Sequence, residues 1–232
     1  FVGMSHITLA DLKQFDTGKP RVYNPHPLFD NFGKALSKSQ AKQQLKLDDA
    51  YDYLLFFGFI RDYKGLDWLL EAFADERFRK FKLKLIIAGE YYVDAAPYQE
   101  LIKKLNLQDY VIQRNDFIQN EEVAAYFSAS DMVVQPYKDA TQSGVTQIAY
   151  HFDKPMLVTK VGGLPEMVPN GKVGYVVDLN PQAIANALVD FYERNKEQLF
   201  IEEIKKEKEK YTWDKMYTSL IDLYDNLNQN KK

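Results

Sequence analysis

Two cations set just behind a glycine, and a short polar run set just ahead of a helix, are the groups in this chain suited to phosphate chemistry. Arg61 and Lys64 follow Gly58 in the stretch Leu55-Phe-Phe-Gly58-Phe-Ile-Arg61-Asp-Tyr-Lys64. Cations over a strand end can clamp a diphosphate and stabilise it as it leaves; the plainer reading is a pair of surface charges. Asp139-Ala-Thr-Gln-Ser-Gly144 is the polar run. With Ser143 as N-cap, the N–H groups of Gly144, Val145 and Thr146 would face an anion, aided by the helix dipole. The hydroxyl of Thr141 and the amide of Gln142 can add hydrogen bonds. Simple helix capping is the competing reading. Gln147, one turn into the helix, either reaches a ribose hydroxyl or faces solvent.

Other residues of this kind are weaker signals. Phe117 and Ile118 either flank a base or fill the core. Gly162 and Gly163 suit a tight turn, after which Glu166 caps a helix or meets a sugar hydroxyl. His151 reads as a partly buried structural residue. No Ser-His-Asp or Cys-His arrangement is visible, and His6, His26 and His151 lack metal-ligand spacing.

Alternating elements must hold these groups. Tyr53 to Gly58 is a fully apolar run, as a central parallel strand should be. Leu66, Leu69, Leu70 and Phe73 mark one face of a helix over 66–74. Phe81 to Gly89 is the next strand, Pro97 to Leu105 a helix, Val111-Ile112 a short strand, and Asn120 begins another helix. Asp131 to Tyr137, Val145 to Phe152 and Lys154 to Thr159 then read strand, helix, strand. Pro181–Asn195 and Trp213–Leu227 are further helices, and the mixed charge run Glu202–Lys210 reads as a solvated helix face. This order predicts an α/β fold: a Rossmann-like, doubly wound parallel sheet with helices on both faces. Gly58, Gly89, Phe117-Ile118 and the Tyr137–Gly144 loop then stand at one sheet edge, outside the carboxyl ends of the strands, where such folds bind ligands.

Ahead of this unit, Phe1 to Met4 reads as a strand end, Ser5 as the cap of a helix through Phe15, and Arg21 to Asn24 as a short strand. Pro25-His-Pro27 reads as a linker. Ser37 or Ser39 caps a helix to Leu47. The tail over 228–232 should fray.

Bulk properties narrow the classes. Of 232 residues, 46% are hydrophobic, enough for a substantial core. Lys and Arg total 30 against 33 Asp and Glu, a net charge of −3, which argues against nucleic acid as partner. There is no cysteine, so disulfides and thiolate metal sites are excluded. No apolar run approaches the roughly 18 residues of a membrane span. A cytoplasmic protein is expected.

The stretches Leu55 to Asp67, Leu85-Ile-Ile-Ala-Gly89, Asn120 to Phe127, Ala129-Ser-Asp131 and Lys154-Pro155 to Glu166 resemble, in order and spacing, the carboxy-terminal half of retaining glycosyltransferases of GT-B architecture. That group 1, or family 4, type includes sucrose synthases and many bacterial transferases of lipopolysaccharide and mannose. The similarity covers roughly 25–227. It implies that residues 25–211 form a Rossmann-like domain binding a nucleotide-sugar such as a UDP-, GDP- or ADP-hexose, with no other cofactor and no metal. It further implies that 1–24 are the remnant of an amino-terminal acceptor domain and linker, and that 212–232 form a helix crossing back to that domain. Phe1-Val-Gly-Met begins in mid-pattern, as a fragment would, and the isolated chain is expected to be inactive. Peripheral membrane contact would run through the absent domain, and bacterial polysaccharide biosynthesis is the implied setting.

Within the resemblance, Lys64 matches the family lysine that binds the diphosphate. Phe59 stands where the family has arginine, with Arg61 nearby. The family's spaced pair of glutamates, which contact donor sugar and ribose, aligns with Ala140 and Ile148, neither acidic. The expected function is hexose transfer with retention, Lys64 and Arg61 stabilising the leaving group and the backbone near Phe117-Ile118 holding the base. Two competitors stand beside it: a non-catalytic nucleotide- or partner-binding module on the same fold, and a sugar-nucleotide epimerase.

Overall fold

The computed structural model describes residues 1–16 and 18–229. A two-stranded parallel pair, β1 (Val2–Gly3) and β2 (Val22–Tyr23), flanks α1 (His6–Leu12), whose N-cap Ser5 accepts from the Thr8 N–H. Next come α2 (Lys38–Gln44) and the strand β3 (Asp52–Phe57). A short 3-10 turn over Asp62–Lys64 leads into α3 (Leu66–Phe73), β4 (Leu83–Ala88), α4 (Ala96–Lys104) and β5 (Val111–Arg114). Then follow α5 (Asn120–Ala129), β6 (Met132–Gln135), α6 (Gly144–His151), β7 (Met156–Thr159), α7 (Leu164–Met167) and β8 (Gly174–Val177). The chain closes with α8 (Pro181–Glu193), α9 (Glu197–Glu207) and α10 (Trp213–Gln229). The tail expected to fray from 228 is thus helical through Gln229; its remainder, 230–232, lies outside the described residues.

The large sheet has six parallel strands in the order β5-β4-β3-β6-β7-β8. The chain builds outward from β3 through β4 to β5, then returns to β3's other side at β6. This makes the β3–β6 junction the topological switch point, where the loops leaving neighbouring strands diverge and a crevice must open. β3 is buried from both sides: Tyr53, Leu54, Leu55 and Phe56 are each at most 1% exposed. Successive strand residues point to opposite faces, so both faces are covered. α3 packs with α4 and α8, and α2 packs with α5. The expected face of α3, Leu66, Leu69, Leu70 and Phe73, is buried. Ser37 caps α2 in a capping box with Gln40, and Asn180 caps α8 ahead of Pro181.

Two features tie the site loops down. Gly65 takes a left-handed turn at φ 69°, and a Cβ there would stand 2.0 Å from the Pro136 carbonyl oxygen. The loop after β3 therefore rests on the end of β6, an approach that glycine allows. At the opposite sheet edge Asp131 is 1% exposed and accepts from the Tyr53 N–H at 2.7 Å. Lys38 pairs with the same carboxylate. Away from the sheet, the linker and α10 run side by side: Leu28 N–H donates to the Tyr211 carbonyl at 2.9 Å and Asn24 Nδ2 to the Met216 carbonyl at 3.2 Å. Among the described residues, no helix is long and apolar enough to cross a membrane.

Candidate functional site

A cavity of about 390 Å³ opens at the switch point. Its floor is built from the ends of β3 and β6 and the start of α6. Gly58, Lys64, Gly89, Phe117, Ile118, Gln142, Ser143, Gly144 and Val145 line it, so most of the residues singled out from the sequence meet here.

Lys64 is the electrostatic centre. It is 9% exposed, and among the described residues no carboxylate pairs with it. Its ammonium lies over the Tyr137 ring, 5.6 Å from the centroid. Burial, and secondarily the Arg61 charge, pull its pKa from 10.5 down to about 8. Gly58 makes this placement workable. With φ 94°, it turns the chain so that a Cβ would stand 3.2 Å from Lys64 Nζ and 3.8 Å from Val145 Cγ2. The cation and the first turn of α6 therefore flank one point.

At that point α6 offers unused donors. Ser143 occupies the N-cap but its side chain makes no capping bond. Its hydroxyl lies 3.2 Å from that of Tyr137 instead. The N–H groups of Gly144, Val145 and Thr146 donate to no group among the described residues. Simple capping by Ser143 is thus overturned: the hydroxyl that would have closed the helix end is held elsewhere. An ammonium short of a counter-ion beside open helix amides favours an anion with several oxygens.

The far end of the cavity is aromatic. Phe59 stands 4.5 Å from Tyr92 and 6.2 Å from Phe117, centroid to centroid. Phe117 is 51% exposed, so it forms a rim rather than core, whereas Ile118 is 9% exposed. Val145 and Ile148 make the wall between the two ends.

Four expected site residues lie elsewhere. Arg61 leaves the 3-10 turn in another direction and stacks on Tyr92, 5.0 Å from the centroid. It acts on the cavity through its charge on Lys64. Thr141 is exposed, and its carbonyl accepts from the Gly163 N–H at 2.9 Å. Glu166 reaches back across the chain to accept from the His6 N–H at 2.9 Å, at the first turn of α1. It caps a helix, though not its own. Gln147 is neither solvent-facing nor on the cavity's wall: it is 3% exposed and borders a separate hollow. His151 is structural, its Nε2 lying 2.7 Å from the Gly33 carbonyl oxygen.

Phe29, Phe32, Tyr63, Glu90, Asn120 and Tyr137 line the cavity without having been singled out. Phe29 and Phe32 sit just past the Pro25–Pro27 linker, where no periodicity marks a buried face. Two phenylalanines soon after Pro27, in a stretch without helix or strand, are the available signal, since aromatic side chains there need a surface to cover.

The depressed pKa of Lys64 has a direct consequence. Below about 8 the cavity holds a cation; above it the amine is neutral. Affinity for a diphosphate-like anion is therefore expected to fall as pH rises through about 8, approaching tenfold for each further pH unit. Titration calorimetry between about pH 7 and pH 9.5 reads this. A flat profile would show that the Lys64 charge takes no part.

A family model described as "Glycosyl transferases group 1" matches residues 51–194. A D-inositol 3-phosphate glycosyltransferase from Streptomyces avermitilis is 30% identical over 186 residues, 76% of this chain and 40% of that protein. The chain spans between 40% and 54% of the length of the first curated relatives it matches. Among solved structures, a sucrose-phosphate synthase from Thermosynechococcus elongatus superposes with a TM-score of 0.81 at 21% identity, over 99% of this chain and 58% of its own. HepE from Anabaena, solved in complex with UDP and glucose, superposes with a TM-score of 0.76 at 18% identity, over 98% of this chain and 62% of its own.

Proposed function

The chain belongs to the group 1 glycosyl transferases, and on that footing we propose that it is the donor-binding half of an enzyme transferring a hexose from a nucleotide-sugar, with retention, to an acceptor held by a second domain. One observation carries the reading: the Lys64 ammonium and the open amides of α6 share a single cavity at the switch point. As the bond from the anomeric carbon to the phosphate oxygen breaks, charge gathers on the diphosphate. Lys64 and the amides of Gly144, Val145 and Thr146 are placed to stabilise it, with Ser143 and Gln142 beside them. This positive charge serves in place of a metal ion. The base lies at the aromatic end, held by backbone near Phe117 and Ile118.

Residues 1–24 and 212–232 then belong structurally to the second domain. The exposed apolar face of α10, including Trp213, Tyr217, Ile221 and Tyr224, supports this, as does the adjacency of linker and α10. A cytoplasmic setting accords with use of a nucleotide-sugar.

The test is a thermal-shift and calorimetric screen of UDP, GDP, ADP and their hexoses. One nucleotide should raise the melting temperature by mass action, about 2.7 kcal/mol of stabilisation at a hundred times its Kd. In the full-length enzyme, that donor should yield a product of unchanged anomeric configuration, undiminished by a chelator. No binding by any of the three would sink the proposal.

One observation favours a second reading. Ile148 puts hydrocarbon on the cavity wall where the family resemblance places a carboxylate. A non-catalytic nucleotide-binding module would bind as above, yet give neither transfer nor slow donor hydrolysis.

A further inference from the structure

Tyr137, just past the end of β6, touches both halves of the anion site. The Lys64 ammonium lies 5.6 Å from its ring centroid. Its hydroxyl lies 3.2 Å from that of Ser143, the N-cap of α6. The residue is buried, and separate elements hold it. Its carbonyl accepts from the Thr159 hydroxyl at the end of β7. The next N–H, of Lys138, donates at 2.6 Å to the carbonyl of Tyr63, in the 3-10 turn that carries Lys64. The Tyr63 ring stands edge-on to that of Tyr137, 6.1 Å between centroids. A residue fixed in this way has little freedom to turn, so both its ring and its hydroxyl are set in place.

Each contact meets a need of an anion site. Helix amides stay open to a ligand only if the N-cap residue does not close them, and serine is among the strongest capping residues. Ser5 caps α1 and Ser37 caps α2 through their side chains. Ser143 is of the same type and its backbone is also extended, yet it makes no capping bond. What sets it apart is the Tyr137 hydroxyl beside its own. The cation has the other need. A carboxylate would steady the ammonium but cancel its charge towards phosphate. The face of an aromatic ring attracts a cation without neutralising it. Burial pushes the Tyr137 phenol well up, so it stays protonated and never becomes a counter-ion.

Resting on the diphosphate reading above, we propose that Tyr137 is the positioning residue of the anion site: its hydroxyl holds Ser143 off the amides of α6, and its ring holds Lys64 in place with its charge uncancelled. It acts through these two residues rather than on the ligand.

The test uses Tyr137→Phe, which keeps the ring and removes the hydroxyl. Ser143 is then expected to cap α6, read without any ligand as slower amide hydrogen exchange at Val145 and Thr146 by NMR. Inorganic pyrophosphate should bind about fivefold more weakly by calorimetry, because it must displace a capping bond. With Ser143→Ala added there is no cap to displace. Exchange should return to its original rate, and the double variant should bind pyrophosphate within about twofold of Ser143→Ala alone. A pH series supplies the ring's part. The midpoint of pyrophosphate affinity should stay in place in Tyr137→Phe and fall by about half a pH unit or more in Tyr137→Leu, which removes the ring. Pyrophosphate's own titration is common to every variant and cancels in the comparison.

Unchanged exchange at Val145 and Thr146 in Tyr137→Phe would overturn the hydroxyl's role. So would a fivefold loss that persists with Ser143→Ala, since the hydroxyl would then act other than through Ser143. A midpoint left in place by Tyr137→Leu would overturn the ring's role; should leucine fail to fold, Tyr137→Phe and its double variant still decide the proposal. Failure of the original chain to bind pyrophosphate, with the exchange pattern as expected, would count against the diphosphate reading and not against the hold of Tyr137 on Ser143.

Discussion

Lys64→Met is expected to weaken nucleoside diphosphate binding by about a hundredfold, and turnover of the full-length enzyme by at least as much, while raising the melting temperature. Both effects come from one fact. The ammonium is buried with no carboxylate paired to it among the described residues, beside the Arg61 charge, and its pKa falls from 10.5 to about 8. The folded state therefore disfavours the charged form. Below pH 8 the full penalty is present, and it is relieved as pH rises from about 8 toward the unfolded value of 10.5. That depression corresponds to roughly 3 kcal/mol at neutral pH. Methionine fills the space with no charge to desolvate, so stability returns as the anion site is lost. Calorimetry and thermal denaturation on the same sample check the two halves together. A variant that loses both binding and stability would mean that Lys64 serves packing rather than the anion.

Asp131→Ala is expected to destabilise the fold by about 2–4 kcal/mol with little change in diphosphate affinity measured on the folded fraction. Asp131 stands at the edge of the sheet away from the cavity. Its Oδ2 accepts from the Tyr53 N–H at 2.7 Å and from the Tyr192 hydroxyl at 3.3 Å, and Lys38 pairs with the same group. Alanine leaves a buried backbone N–H on the central strand without an acceptor and leaves Lys38 only its longer contact with Glu197, at 3.4 Å. Denaturant unfolding gives the size of the effect. A loss below about 0.5 kcal/mol would show that water takes over the carboxylate's bonds. Asp131 is a buried charge held by partners and serves the fold; Lys64 is a buried charge with no carboxylate partner among the described residues and is open to a ligand.

The main architecture was legible in the chain. The apolar run of β3 and the face Leu66, Leu69, Leu70, Phe73 of α3 declared their elements, because strand and helix periods follow from local backbone geometry. Their alternation fixed a parallel sheet, and a parallel sheet gathers its strand ends at one edge. That much brings Gly58, Lys64 and the Ser143–Gly144 turn to one place.

Orientation within that edge was not legible. Arg61 and Lys64 leave the same 3-10 turn, one outward over Tyr92 and one inward under Gly58. Ser143 has the residue type of a cap, yet Tyr137, from the end of another strand, takes its hydroxyl. Glu166 serves α1 rather than its own helix. Gln147 and Ile148 are adjacent and face different cavities. Phe29 and Phe32 line the cavity from an irregular stretch with no period at all. Residue types and spacing thus determined which elements form and which strand ends share an edge, since those follow from hydrogen bonding and burial along short stretches. The tertiary structure decided which side chains turn into the cavity, since each such choice depends on partners brought from far along the chain.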